Sequence, residues 1–323
     1  MSQVKKSTVE MTKQPTTHYS PAKYHFVWDN SLTPTLTIES GDTVVFDFED
    51  GSDQQIHPGA GIEALLNYDW KRTYPLHGPI YINGAEPGDT LEIEVLDLRT
   101  KGWAWTAVLE GFGLLPDEFD EPYLRVFDIS NGDYIPFRED IHIPIEPFLG
   151  IMGVAPSRKG ELSLAPPDIN GGNLDIRHLT RGTKLFLPIQ VPGALFSAGD
   201  GHAVQGDGEL CLTAAECPLY GSLRFTLHKN KTISSPQFIT SPGSLTPRTE
   251  EKGFFATTGI GPDLMKCAQD AARSMIDHLE AEYGLSRYDA YLLCSLAVDL
   301  KISEIVDKPN YVVSAYLPLS IFK

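Results

Sequence analysis

The stretch 199–209, GDGHAVQGDGE, gathers Asp200, His202, Asp207 and Glu209 between two apolar runs. Asp200 and His202 are two residues apart, as are Asp207 and Glu209. In extended backbone each pair would project to one face and could meet a common ion. A carboxylate and imidazole set suits zinc or manganese, whereas an all-oxygen cage of the kind calcium or magnesium takes would make less use of His202. The glycines at 199, 201, 206 and 208 let the backbone bend tightly around that point. The blander alternative is ordinary Gly-Asp-Gly turn chemistry with the carboxylates in water.

A second constellation, Asn170-Gly171-Gly172-Asn173-Leu174-Asp175, ends a Pro- and Gly-rich stretch running from about Phe148. Asp175 could complete a metal shell or orient His202. His57 and His77 flank a helix-like segment, GIEALLNYDWKR, that contains Glu63 and Asp69, but spacing does not bring them to the Gly-rich motif. Cys211, two residues after Glu209, could with Lys184 imitate a cysteine nucleophile, since a thiolate needs a nearby cation and a base. Its place in the apolar run LCL reads instead as a buried thiol. A glycine-framed serine elbow, a phosphate-binding loop and a dinucleotide fingerprint are absent from the sequence.

The elements that must hold these residues read mostly as strands. TLTIES, Gly41-Asp42-Thr43 and VVFDFED alternate apolar and polar residues on both sides of a turn, as a half-buried hairpin would. Gly88-Asp89-Thr90 repeats that start before LEIEVLDL. YLRVFDI, DIHIPI, KLFLPIQV, ELCLTAAE, SLRFTLHK and YVVSAYLPL are further strand candidates, short and rich in β-branched and aromatic residues. Only the last third reads as helix. Leu264, Ala268, Ala271, Met275 and Leu279 recur at helical spacing before a stop at Gly284, and Ser286 with Asp289 reads as a capping box for a second helix. The expected fold is β-rich α+β, with jelly-roll-like β-sandwich layers and a smaller C-terminal layer of helix and strand. Residues 1–20 read as a polar arm and 21–323 as one unit, β-rich over 21–250 and helical over about 260–300.

The chain has 323 residues, with 28 Gly and 24 Pro, a turn-rich composition that argues against a helical bundle. With 26 Lys and Arg against 43 Asp and Glu, the formal charge of −17 would repel a phosphate backbone, so nucleic acid is not an expected partner. No apolar run approaches the length of a bilayer span, and the N-terminal stretch lacks a signal-like apolar core. A cytoplasmic protein with its four cysteines reduced is therefore expected.

In order along the chain, YDWKRTYPLHGPIYINGAEPGDTLEIEVLD, PIEPFLGIMGVAP, NGGNLD, VPGALFSAGDGHAVQGDGE and DAYLLCSLAVDLKISEIVD resemble the acetamidase/formamidase family of amide hydrolases. The resemblance runs from about residue 24 to the C-terminus. It implies hydrolysis of a short aliphatic amide, such as formamide or acetamide, to carboxylate and ammonia, with a divalent metal site in a homo-oligomer. Carried onto this chain, its Gly-Asp-x-His and Gly-Asp-Gly-Glu elements fall on Asp200, His202, Asp207 and Glu209, and its Gly-Gly-Asn-x-Asp element on Asn173 and Asp175.

The resulting expectation is that Asp200, His202 and Asp175 hold the ion, zinc first, with manganese or calcium as alternatives. Glu209 would act as general base and Asp207 as an orienting carboxylate or alternative ligand. His57 and His77, which depart from the family's pattern, would shape the substrate pocket with Asn173 and Glu63. Two rivals remain: a cysteine-nucleophile amidase using Cys211, and a non-catalytic β-sandwich module with a structural ion.

Overall fold

The computed structural model describes residues 15–323 apart from 244, 246, 247, 250 and 306–308, so most of the expected N-terminal arm lies outside the described residues. Two six-stranded sheets face each other. The first runs Thr17–Tyr19, Thr43–Phe48, Leu219–His228, Thr90–Thr100, Lys184–Pro188, Gln237–Ile239. The second runs Gly171–Asn173, Phe148–Gly153, Phe196–His202, Leu76–Ile82, Tyr24–His25, with Leu36–Ile38 also paired to Leu76–Ile82. Alternation supplies the apolar inner faces. Phe46, Phe48, Ile93, Val95 and Phe225 of the first sheet meet Ile80, Leu149 and Phe196 of the second in one buried cluster, with the Phe196 and Phe225 rings 5.0 Å apart.

Three expectations need adjusting. The segments TLTIES and VVFDFED do not form a hairpin: Leu36–Ile38 joins one sheet and Thr43–Phe48 the other, so the Gly41 turn is a corner between layers. ELCLTAAE is not a strand, because Leu212 takes the left-handed region (φ 83°) and the segment coils, with β-bridges at Glu216. The last residues of the expected arm, Thr17–Tyr19, pair in parallel with Thr43–Val45.

The repeated Gly-Asp-Thr starts are structurally equivalent. Thr43–Phe48 and Thr90–Thr100 flank the same strand, Leu219–His228, and in each turn the aspartate accepts backbone N–H groups, Asp42 from Thr16 and Glu39, Asp89 from Glu86 and Asn230.

The C-terminal layer places the helices Leu264–Tyr283 and Arg287–Ala297 against the sheet Phe254–Gly261, Tyr311–Pro318, Asp299–Glu304. Asp263 caps the first helix by accepting from Lys266 N, and Gly284 ends it in the left-handed conformation that a Cβ disfavours. Ser286 caps the second, accepting from Asp289 N. This layer reaches the sandwich through the coil after the Gly-rich motif. Gly206 N donates to Ser295 O (2.8 Å), Cys211 N to Ser295 Oγ (3.1 Å), and Ser295 Oγ to Thr213 O (2.8 Å). The helices thus fix the turn that carries Glu209.

Candidate active site

The strand Phe196–His202 runs antiparallel to Phe148–Gly153, with Phe148 opposite His202 and Leu149 opposite Gly201. That register sets Asp200 across from Gly150. The carbonyl of Gly150 accepts from Leu174 N (3.0 Å) and Asp175 N (3.2 Å), which draws the end of the long Pro-rich segment to the same point. A Cβ on Gly150 would lie 2.6 Å from Asp175 Oδ1 and 2.7 Å from both Asp200 Oδ2 and His202 Cε1. The three side chains therefore surround one small space that only glycine leaves open.

Donor atoms of Asp175, Asp200 and His202 lie within 4.8 Å of one another, and so do those of His202, Glu209 and Glu216. Glu216 was not anticipated from the sequence. Its backbone pairs with Trp105 on one side and bridges to His202 on the other, and its Oε1 accepts from Ala214 N (3.0 Å). Oε2 is then left facing His202 Nε2 at 3.2 Å, with Asp200 Oδ2 3.5 Å from the same nitrogen.

The electrostatics are those of crowded acids out of water. Burial, then repulsion from the neighbouring acids, raises the Asp175 carboxyl to about 8, partly opposed by His202. Burial, with Asp200 adding, raises Glu216 to about 7, and Glu209 is pushed well above the ordinary range by burial and Asp175. For His202, burial disfavours the charged ring, but Glu216 and Asp200 outweigh it and raise its pKa well above the usual range, whereas a cation bound at the same nitrogen would require the neutral ring.

Several of these buried atoms have no hydrogen-bond partner: Asp175 Oδ1, Asp200 Oδ1, both ring nitrogens of His202, and Glu216 Oε2. Buried polar atoms are rarely left unsatisfied, and doing so is costly. Asp175 (φ 46°), Asp200 (φ 58°) and Glu209 (φ 44°) also occupy the left-handed region, a strained conformation for residues with a Cβ that concentrates at functional sites. Orphaned acceptors around a glycine-lined space are what a divalent cation would satisfy, so the donor set fits a metal ion.

The other expected residues lie elsewhere. Asp207 turns away from Glu209 at Gly208 (φ 104°); its backbone N donates to Asp299 Oδ1 (3.1 Å), and Arg177 and His178 are its charged neighbours. His57 and Glu63 are exposed, Glu63 opening the one-turn helix Glu63–Leu66. His77 is buried beside Phe48, its pKa lowered to about 4 by burial and Lys101. Asn173 donates to Ala165 O (3.1 Å) at the edge of the sheet. Cys211 is buried with its thiol pKa raised by burial, and Lys184 is paired to Glu92 (2.7 Å) on the neighbouring strand of the first sheet, so a cysteine nucleophile with a lysine partner does not assemble.

A two-sheet β fold thus carries a buried cluster of four carboxylates around one imidazole. The Acetamidase/Formamidase family matches this sequence over residues 8–164 and 160–323, and the chain belongs to that family of amide hydrolases. The formamidase of Methylophilus methylotrophus is 26% identical, with 93% of this chain and 89% of the relative covered. The acetamidase of Mycolicibacterium smegmatis is 27% identical, with 58% and 61% covered. Among solved structures, an acetamidase from Bacillus halodurans is 30% identical at TM-score 0.66, covering 94% of this chain and 97% of the other. A gamma lactamase from Delftia acidovorans shares the fold at TM-score 0.85 and 24% identity, with 93% and 90% covered.

Proposed function

We propose that this protein is a metal-dependent amidase that hydrolyses short amides of the formamide or acetamide type to carboxylate and ammonia. The observation that carries the metal dependence is the set of unpartnered donor atoms around Gly150. Asp175, Asp200 and His202 would hold the ion, zinc by donor type, and Glu216 would face the same imidazole from the other side. A bound divalent ion supplies Lewis acidity, which lowers the pKa of water and polarises a carbonyl oxygen.

The chain's own residues handle the protons. Glu209 takes a proton from the attacking water as its oxygen bonds to the carbonyl carbon, then returns that proton to the nitrogen as the C–N bond breaks. The products are a carboxylate and ammonia, which leaves as ammonium. Asp207, bound by its backbone to Asp299, contributes by fixing the turn rather than by touching the substrate.

The four cysteines are free and buried, which accords with a reducing, cytoplasmic setting. Assembly as a homo-oligomer is part of the same reading. Among the described residues no helix is long and apolar enough to cross a membrane.

The test is ammonia release from formamide, acetamide and propionamide, before and after chelation, with elemental analysis of the untreated protein. Hydrolysis abolished by chelation and restored by zinc or manganese is expected. Hydrolysis indifferent to thorough chelation sinks the metal-dependent reading.

A further inference from the structure

Leu212 holds a backbone conformation that suits glycine. Its φ of 83° is left-handed, a region that a residue with a bulky side chain occupies only where its surroundings force it there. The forcing bonds lie on both sides in sequence. Cys211 N donates to Ser295 Oγ (3.1 Å) and Leu212 N to Glu209 O (2.9 Å), while the Thr213 hydroxyl accepts from Ala107 N (2.9 Å) and donates to Ala107 O (2.9 Å). None of these bonds uses the leucine side chain, so glycine would meet the same backbone demand without the strain. A leucine at this place points to a use for the side chain itself.

That side chain lines a narrow cleft leading to the acid cluster, and Glu216 closes the inner end. Gly51 forms part of the floor, where a Cβ would lie 2.6 Å from Asp200 Oδ1 and 3.2 Å from Glu216 Oε2, so cleft and cluster are continuous. The Trp105 wall is fixed, its indole N–H donating to Asp50 Oδ1 (3.1 Å). The cleft offers about 40 Å³ of space. An apolar cavity that takes a benzene ring measures about 150 Å³, so the room here is that of an acyl group of roughly one or two carbons, not of a chain or ring. Tyr74 (φ 62°) also lines the cleft in a left-handed conformation, but burial and the charges of Asp200 and Glu216 raise its phenol pKa, which sets it at the acid end. Leu212, apolar and 36% exposed, stands toward the open end.

We infer that Leu212 is the specificity-determining residue that sets the upper limit of acyl size, its side chain filling the space that a third acyl carbon would need. The inference rests on amide hydrolysis at the cluster and names what confines that reaction to the shortest amides. One methylene more or less than a pocket accommodates changes kcat/KM by roughly 10- to 200-fold.

The experiment measures kcat/KM for formamide, acetamide, propionamide and butyramide with the metal-loaded natural chain, Leu212→Ala and Leu212→Gly, together with the thermal unfolding of each. In the natural chain kcat/KM should fall by at least about 10-fold from acetamide to butyramide, and both substitutions should raise the butyramide-to-acetamide ratio by about 10-fold or more. Leu212→Gly should unfold at a higher temperature than Leu212→Ala, the reverse of the usual order, because only glycine releases the backbone. Should the alanine variant fail to fold, the glycine variant carries the ratio alone. A natural chain whose kcat/KM stays flat or rises with acyl length overturns the inference while amide hydrolysis stands. Variants that keep the natural ratio overturn it too, since another wall then sets the limit, and a glycine variant less stable than the alanine one removes the strain on which it was built. If the natural chain hydrolyses none of the four amides, it is the amidase reading that fails, and the inference falls with it.

Discussion

Two groups of buried charged side chains lie side by side along the sequence and differ in one respect. In the first, Arg177 pairs with Asp299 and, at 3.6 Å, with Glu146, while Asp299 also accepts from Asp207 N and lies 3.7 Å from Lys301 Nζ. In the second, four acids, Asp175, Asp200, Glu209 and Glu216, surround one imidazole, His202, which faces Glu216 Oε2 at 3.2 Å, and Asp175 Oδ1 and Asp200 Oδ1 have no hydrogen-bond partner. Arg177 is two residues from Asp175, and Asp207 two residues from Glu209. Both groups bear the cost of burial, but only one compensates it within the chain. A compensated cluster joins the C-terminal layer to the sandwich; an uncompensated one reserves its bonding capacity for something the chain does not supply.

The sharpest way to break this contrast is to remove an orphaned acid. Asp200→Asn should abolish metal retention and measurable amide hydrolysis, while the chelated protein unfolds no more readily than the chelated natural chain, because a repulsive charge has gone. Elemental analysis paired with thermal unfolding checks both halves. A chelated variant that loses stability would put Asp200 among the compensated groups.

Next in size, Glu209→Gln should slow hydrolysis by about 10² to 10⁴ while metal content is preserved, as expected for loss of a proton-transfer group. If metal and fold are lost together, Glu209 is structural and belongs with the first cluster.

Arg177→Met tests the other side. Removing one partner of a buried ion pair costs about 3–5 kcal/mol, so urea unfolding should shift strongly while metal affinity, measured by titration of chelated protein, changes little. The reverse pattern would merge the two clusters into one.

The smallest effect is a pH dependence. A carboxyl whose pKa is raised on folding binds its proton more tightly when folded, so its contribution to stability is complete below the ordinary carboxylate range near 4 and is lost as pH rises through the folded values. With Glu216 at about 7 and Asp175 at about 8, the unfolding temperature of the chelated protein should fall between pH 5 and 8.5, and zinc should offset the fall. A flat profile for chelated protein would mean that these acids are already compensated.

Much of this was readable from the residues. Asp200 and His202 do converge at the end of a strand, but Asp200 leaves the extended conformation there (φ 58°), so the convergence does not come from strand alternation alone. The helix from Leu264 to Tyr283 was legible because its apolar stripe, its Asp263 cap and its Gly284 stop agree. The same spacing argument fails for Asp207 and Glu209, which straddle Gly208 in a turn rather than a strand, so one goes to Asp299 and the other to the cluster around His202.

Glu216 was invisible because its role depends on pairing with Trp105 and His202, contacts between distant parts of the chain. Its one local signal was a charge set within the small apolar run Ala214, Ala215, Cys217. The wrong hairpin at Gly41 has the same origin: alternation identifies strands but not which sheet each joins.

Gly150 carries a last consequence. Because a Cβ there would sit among Asp175, Asp200 and His202, a single methyl group attached to the backbone would occupy the space proposed for the ion. An alanine there would act as a built-in plug, leaving every ligand chemically intact while denying them a common guest. In the proposed site, room kept by a residue without a side chain would matter as much as the acids that line it.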